Sequence, residues 1–114
     1  MPNYQPYMIK TRRVAAATCL LELSQYMERF YTVNLRYDQN SSGAAVALPA
    51  TQCQTDLAGH YAFSLNPDPT ARTYTLGAAP QGAQSTKDPL LCGTLTINQA
   101  GQKGAEADVS KCWR

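Results

Sequence analysis

No proline or glycine interrupts the chain between Thr11 and Ser42, and that run does most to limit what it can fold into. Within it Ala16, Leu20, Leu23, Met27 and Phe30 recur at spacings of 4, 3, 4 and 3, the mark of one apolar stripe along a helix. Cys19, Tyr26 and Val33 widen that stripe, while Arg12, Arg13, Glu22, Glu28 and Arg29 lie mostly off it. The pattern predicts a helix over about residues 9–36, longer than the usual ~11–12 residues. Its stripe is wide enough to pack on a sheet and too wide for a two-position coiled-coil seam.

A stripe of that kind needs a partner, and the second half of the sequence offers one. Alternating apolar residues predict strands over about 60–65, 73–79 and 92–98. Tyr61, Phe63 and Leu65 share one face of the first, Tyr74, Leu76 and Ala78 of the second, Leu95 and Ile97 of the third. Asn66-Pro67-Asp68-Pro69 and Asp88-Pro89 are the breakers between them. Neighbouring strands with short connections favour an antiparallel meander. Residues 38–59 carry turn chemistry at Asn40-Ser41-Ser42-Gly43 and no periodicity, and residues 99–114 read as a C-terminal loop. The expected fold is α+β, one domain over 1–114 with the helix stripe buried on one sheet face.

Length and cysteine count refine the picture. A chain of 114 residues allows one domain with a modest core, and four cysteines, Cys19, Cys53, Cys92 and Cys112, are many for that length. No pair has C-x-x-C spacing and His60 is the single histidine, so zinc would need all four thiolates at irregular intervals. An even count with wide separations fits two disulfides and an oxidising compartment; three pairings remain open. No apolar stretch approaches the ~20 residues of a membrane span, and no signal peptide is present. A disulfide framework without an export signal fits a chain whose natural N-terminus has been removed, and Met1-Pro2 reads as such a start.

Charge and catalytic chemistry point away from most other classes. The formal net charge of +2 is too small to imply nucleic acid by itself, although residues 1–36 hold five of the ten Lys and Arg and only two of the eight acidic residues. Lys10, Arg12 and Arg13 are the one cluster with a functional rival reading, contact with DNA or another anion. Its plainer reading is a solvated helix face. Tyr4 and Tyr7 beside it suit a membrane interface better than base stacking. His60 has no carboxylate placed by sequence to orient it as a base. Asp56, Asp68, Asp88 and Asp108 lie in predicted loops, where Asp caps turns. No phosphate-binding glycine loop opens a helix. An enzyme, a cofactor and a metal site are therefore not expected.

The residues also resemble a known family. Pro2-Asn3-Tyr4-Gln5-Pro6-Tyr7 ahead of a basic helix, and Leu20-Leu21-Glu22-Leu23-Ser24-Gln25-Tyr26-Met27-Glu28-Arg29-Phe30-Tyr31 with Asn34, are similar to the helix of type IV pilins. Thr73-Tyr74-Thr75-Leu76, Cys92 to Gly101, Lys103-Gly104-Ala105 and Cys112-Trp113-Arg114 resemble the PilE-type minor pilins of Gram-negative bacteria. Only residues 38–59 find no counterpart.

That resemblance implies a pilin roll with a disulfide-closed C-terminal loop, mapped onto Cys92 and Cys112. Cys19 and Cys53 are then left to pair by arithmetic. It implies a structural subunit, a minor pilin that enters or primes a type IV pilus for adhesion or twitching motility. The implied partners are other pilin subunits, the assembly machinery and the inner membrane, the last through an apolar N-terminal helix absent here. The subunit would move from inner membrane and periplasm to an extracellular pilus. A DNA-binding competence pilin and a pseudopilin of a type II secretion system share the architecture; the Cys112-Trp113-Arg114 end favours a pilus over a pseudopilus. Because the helix stripe is expected to be used up by its own sheet, assembly is expected to rest on the absent helix.

Overall fold

The computed structural model of the chain describes residues 5–65, 68–88 and 91–113. Pro2 to Tyr4, the Asn66-Pro67 start of the first breaker, Pro89 and Arg114 lie outside them. Helix α1 runs over Gln5–Asn34, 30 residues, or about 45 Å, of a molecule 56 Å in its longest dimension. It starts before the expected residue 9 because Pro6 falls in the first turn, where a missing N–H costs no intrahelical bond. It stops at Asn34, two residues short of expectation. Leu35 turns into the left-handed region at φ 59° and donates its N–H to the Tyr31 carbonyl at 2.6 Å, which closes the helix end.

The inward side of α1 carries Ile9, Arg13, Ala16, Leu20, Leu23 and Met27, all buried. Burying Leu20, Leu23 and Met27 contributes about 1.5–3 kcal/mol each before entropy is counted. Phe30, expected at the end of the stripe, is only half-buried and rests against Tyr26 with ring centroids 6.3 Å apart. Its place in the core is taken by Tyr37, whose ring meets Tyr31 at 4.6 Å and Tyr74 at 4.9 Å.

Four strands face that stripe: β1 Tyr61–Leu65, β2 Thr75–Pro80, β3 Leu95–Asn98 and β4 Lys103–Gly104. They form one sheet in the order β1-β2-β3-β4, every neighbour antiparallel. The register sets Leu65 opposite Leu76, then Leu76 opposite Ile97 and Ala78 opposite Leu95, so the apolar set of each strand lies on the helix side. The architecture is α+β, a long helix on an antiparallel sheet. Tyr74 is buried yet precedes β2, its N–H passing to the Gln99 side chain at 3.2 Å in place of a ladder bond. Cys92 likewise precedes β3.

The connections hold more structure than the sequence suggests. In the expected loop 38–59, Gln39 bridges Ala45, with the Asn40 side chain accepting the N–H groups of Ser42 and Ala44 at 2.9 and 3.0 Å. Helix α2 follows at Gln52–Asp56, and Tyr26 donates its hydroxyl to the Ala47 carbonyl at 3.2 Å. Helix α3, Ala83–Thr86, lies between β2 and β3. The expected loop 99–114 contains β4 and helix α4, Val109–Cys112, where Trp113 donates its ring N–H to the Gly104 carbonyl at 2.8 Å.

Candidate functional site

The basic cluster at the start of α1 divides. Lys10 is exposed, Arg12 half-exposed, and Arg13 buried, so Arg13 does not share a surface with the other two. Arg13 stands four residues after Ile9 and three before Ala16, inside the stripe and not off it. A guanidinium there requires a counter-charge, and the Asp88 carboxylate supplies it at 2.8 Å. The second oxygen of Asp88 accepts the Cys92 N–H at 3.1 Å. Beside them Gln84, also buried, donates to the Ile9 carbonyl at 3.3 Å and to the Tyr61 hydroxyl at 3.2 Å. This polar layer locks the segment leading into β3 onto α1; it offers nothing to a ligand in solvent.

At the other end of α1 the Tyr37 hydroxyl donates to the Glu28 carboxylate at 3.0 Å, and the Tyr74 hydroxyl reaches the same carboxylate at 3.5 Å. Burial first, and the Glu28 hydrogen bond and charge second, push the Tyr37 hydroxyl up to about 12. Burial and the Glu28 charge raise Tyr74 further still.

The structure pairs all four cysteines, Cys19 with Cys53 and Cys92 with Cys112, each at a Cα separation of 5.7 Å. The first bond holds α2 against the middle of α1; the second closes α4 onto the entrance of β3. Among the described residues no three metal-ligating side chains gather, and no helix is long and apolar enough to cross a membrane.

A second apolar line runs along the solvent side of α1. Tyr7, Val14 and Leu21 follow at intervals of seven and are 67, 37 and 40% exposed. Thr11, Thr18 and Gln25, exposed and uncharged, fill the positions between them. Thr18 turns its hydroxyl back onto the Val14 carbonyl at 3.0 Å, which leaves its methyl as the outward group. Residues repeating every seven drift only ~20° per repeat around a helix, so the line stays on one face. The stripe expected to pack on the sheet does so at Ala16, Leu20, Leu23 and Met27, and this second line is separate from it. The spacing of Tyr7, Val14 and Leu21 was the available signal, and the stronger stripe opposite masks it.

The profile of the family described as "Type IV minor pilin ComP, DNA uptake sequence receptor" matches residues 2–96. The chain belongs to the type IV minor pilin family. A solved type IV pilin from Shewanella oneidensis superposes on this minor pilin with a TM-score of 0.63 at 28% identity, covering 89% of this chain and 96% of the other. The Neisseria meningitidis non-core minor pilin PilV shares the fold, with a TM-score of 0.60 at 24% identity over 90% of this chain and 91% of its own. No curated protein matches significantly. Type IV pilins are structural, assemble with other pilin subunits, and are exported to form surface filaments, and this minor pilin is a structural subunit of such a filament.

Proposed function

We propose that this minor pilin meets its neighbours in the filament through the solvent side of α1, along Tyr7, Thr11, Val14, Thr18 and Leu21. The observation that carries the reading is the seven-residue line of exposed apolar side chains on the face turned away from the sheet. Burying such a line between helices is the ordinary way two helical surfaces associate. The subunit would wait in the inner membrane and periplasm, be handed on by the assembly machinery, and serve adhesion or twitching motility from the pilus. Val14→Glu with Leu21→Glu tests this in cells that carry the full-length protein. Both positions are surface positions, so the purified domain should melt as before while the subunit disappears from sheared filaments. Normal incorporation of the double variant would refute the assignment.

A second reading, capture of DNA, is favoured by the description of the matching family as a DNA uptake sequence receptor. Of the basic cluster at the start of α1, Lys10 and Arg12 could meet such a ligand; Arg13 is committed to Asp88.

A further inference from the structure

At the end of β2, beside α3 and the approach to β3, lies a cleft of about 350 Å³ lined by Ala79, Pro80, Ser85, Leu91, Thr94 and Glu106, with Gly93 on its wall. Two features of its wall are unusual. Leu91 is 71% exposed although its backbone adopts a positive φ of 53°, a conformation that costs a branched side chain energy. Glu106 lies over Gly93, filling the space that a Cβ on that residue would need, and its carboxylate accepts the Thr94 N–H at 2.7 Å. That bond fixes where the negative charge stands. Among the described residues no cation pairs with Glu106, the only ion pairs being Arg13 with Asp88 and Arg36 with Asp38.

A fixed carboxylate beside an aliphatic wall suits an ammonium or guanidinium on an aliphatic stem, since the stem can lie on Leu91 and Pro80 while the head reaches the acid. The chain itself carries such groups: no acidic residue precedes Glu22, and of the three cations before it Arg13 is taken up by its ion pair with Asp88. Lys10 and Arg12 protrude from the basic part. We propose that the cleft receives a basic side chain from the start of α1 of a second copy of this chain, so that one subunit's Lys10 or Arg12 is seated on the next subunit's Glu106. The proposal rests on the reading of the chain as a filament subunit and adds a second, electrostatic contact to the apolar one.

The test measures this subunit in sheared filaments from cells expressing the full-length protein. Glu106→Lys is expected to lower recovery by about fivefold, the scale of a partly exposed ion pair. Combining it with Lys10→Glu and Arg12→Glu is expected to restore it. Ser85→Arg leaves the Glu106–Thr94 bond in place and fills the cleft with the subunit's own guanidinium; it should lower recovery equally, with unchanged thermal unfolding. Recovery unaffected by Ser85→Arg, or no rescue by the combined reversal, would overturn the socket while leaving the α1 contact standing. If the unaltered subunit never enters filaments, the filament reading itself fails.

Discussion

Arg13 and Asp88 face each other 2.8 Å apart, with side chains only 5 and 3% exposed, across 75 residues of sequence. The pair joins the first third of α1 to the segment that enters β3. Removing one partner strands a charge in the core.

Asp88→Ala or Arg13→Ala alone should destabilise the domain by about 3–5 kcal/mol. Arg13→Met with Asp88→Ala, which removes both charges, should cost clearly less. Urea unfolding of the three variants decides the matter: equal losses for single and double variants would mean that the ion pair itself, and not the orphaned charge, carries the energy.

The disulfide pairing is directly measurable. Non-reducing intact mass should lie about 4 Da below the reduced mass, two hydrogens for each bond. Proteolytic mapping should join Cys19 to Cys53 and Cys92 to Cys112. In the chain-entropy model each closure contributes about 3–4 kcal/mol. Alkylatable thiols, or a peptide linking Cys19 to Cys92, would contradict the structure.

Alkaline pH should unfold the domain through its tyrosines. Tyr37 titrates near 10.0 in an unfolded chain and is pushed up to about 12 in the fold, and Tyr74 is raised as well. The folded state therefore retains protons that the unfolded chain gives up. This stability is full below about pH 10 and lost as pH rises towards 12. Tyrosinate absorbance followed against pH should show late-titrating groups, and Tyr37→Phe should flatten the fall in stability over that window.

Binding of duplex DNA by residues 1–114 should be weak, indifferent to sequence and abolished by rising salt, because only Lys10 and Arg12 of the helix cluster face solvent. Titrating labelled duplex at two salt concentrations checks this. Submicromolar affinity that survives physiological salt and falls with Lys10→Ala and Arg12→Ala would promote DNA capture to the main role.

The same residues in isolation should scatter light as a monomer at micromolar concentration. The line of Tyr7, Val14 and Leu21 on α1 is narrow, well below the ~1,200 Å² of a stable interface. A discrete oligomer would mean that the globular surfaces hold a larger interface of their own.

What the sequence revealed and what it hid follow from how strongly each feature repeats. The stripe from Ala16 to Phe30 occupies five positions at helical spacing along α1, and Leu76, Ala78, Leu95 and Ile97 alternate as a sheet face demands, so both layers were legible. Strand β4 is two residues long and has no period to detect. Arg13 was read as surface because charge normally outweighs position; only the arrival of Asp88 makes the inward rotamer affordable. Leu35 ends α1 in a backbone conformation that its residue type disfavours, so no capping glycine announced the stop. The cleft at Glu106 was invisible for a different reason: its walls come from α3, the ends of β2 and the approaches to β3 and α4, which only tertiary structure brings together.

The bond between Cys19 and Cys53 also has a mechanical side. A filament subunit is pulled as well as packed, and a domain tugged by its ends yields by paying out chain. Residues 19 and 53 are 34 apart in sequence, a length that could otherwise extend by about 110–120 Å, and the covalent bond withholds nearly all of it. Cys92 and Cys112 withhold the slack of a further 20 residues. Under load the domain can pay out only the chain outside the two loops, chiefly the segment from Cys53 to Cys92, so oxidation of these four sulfurs sets an upper limit on how far each subunit can stretch.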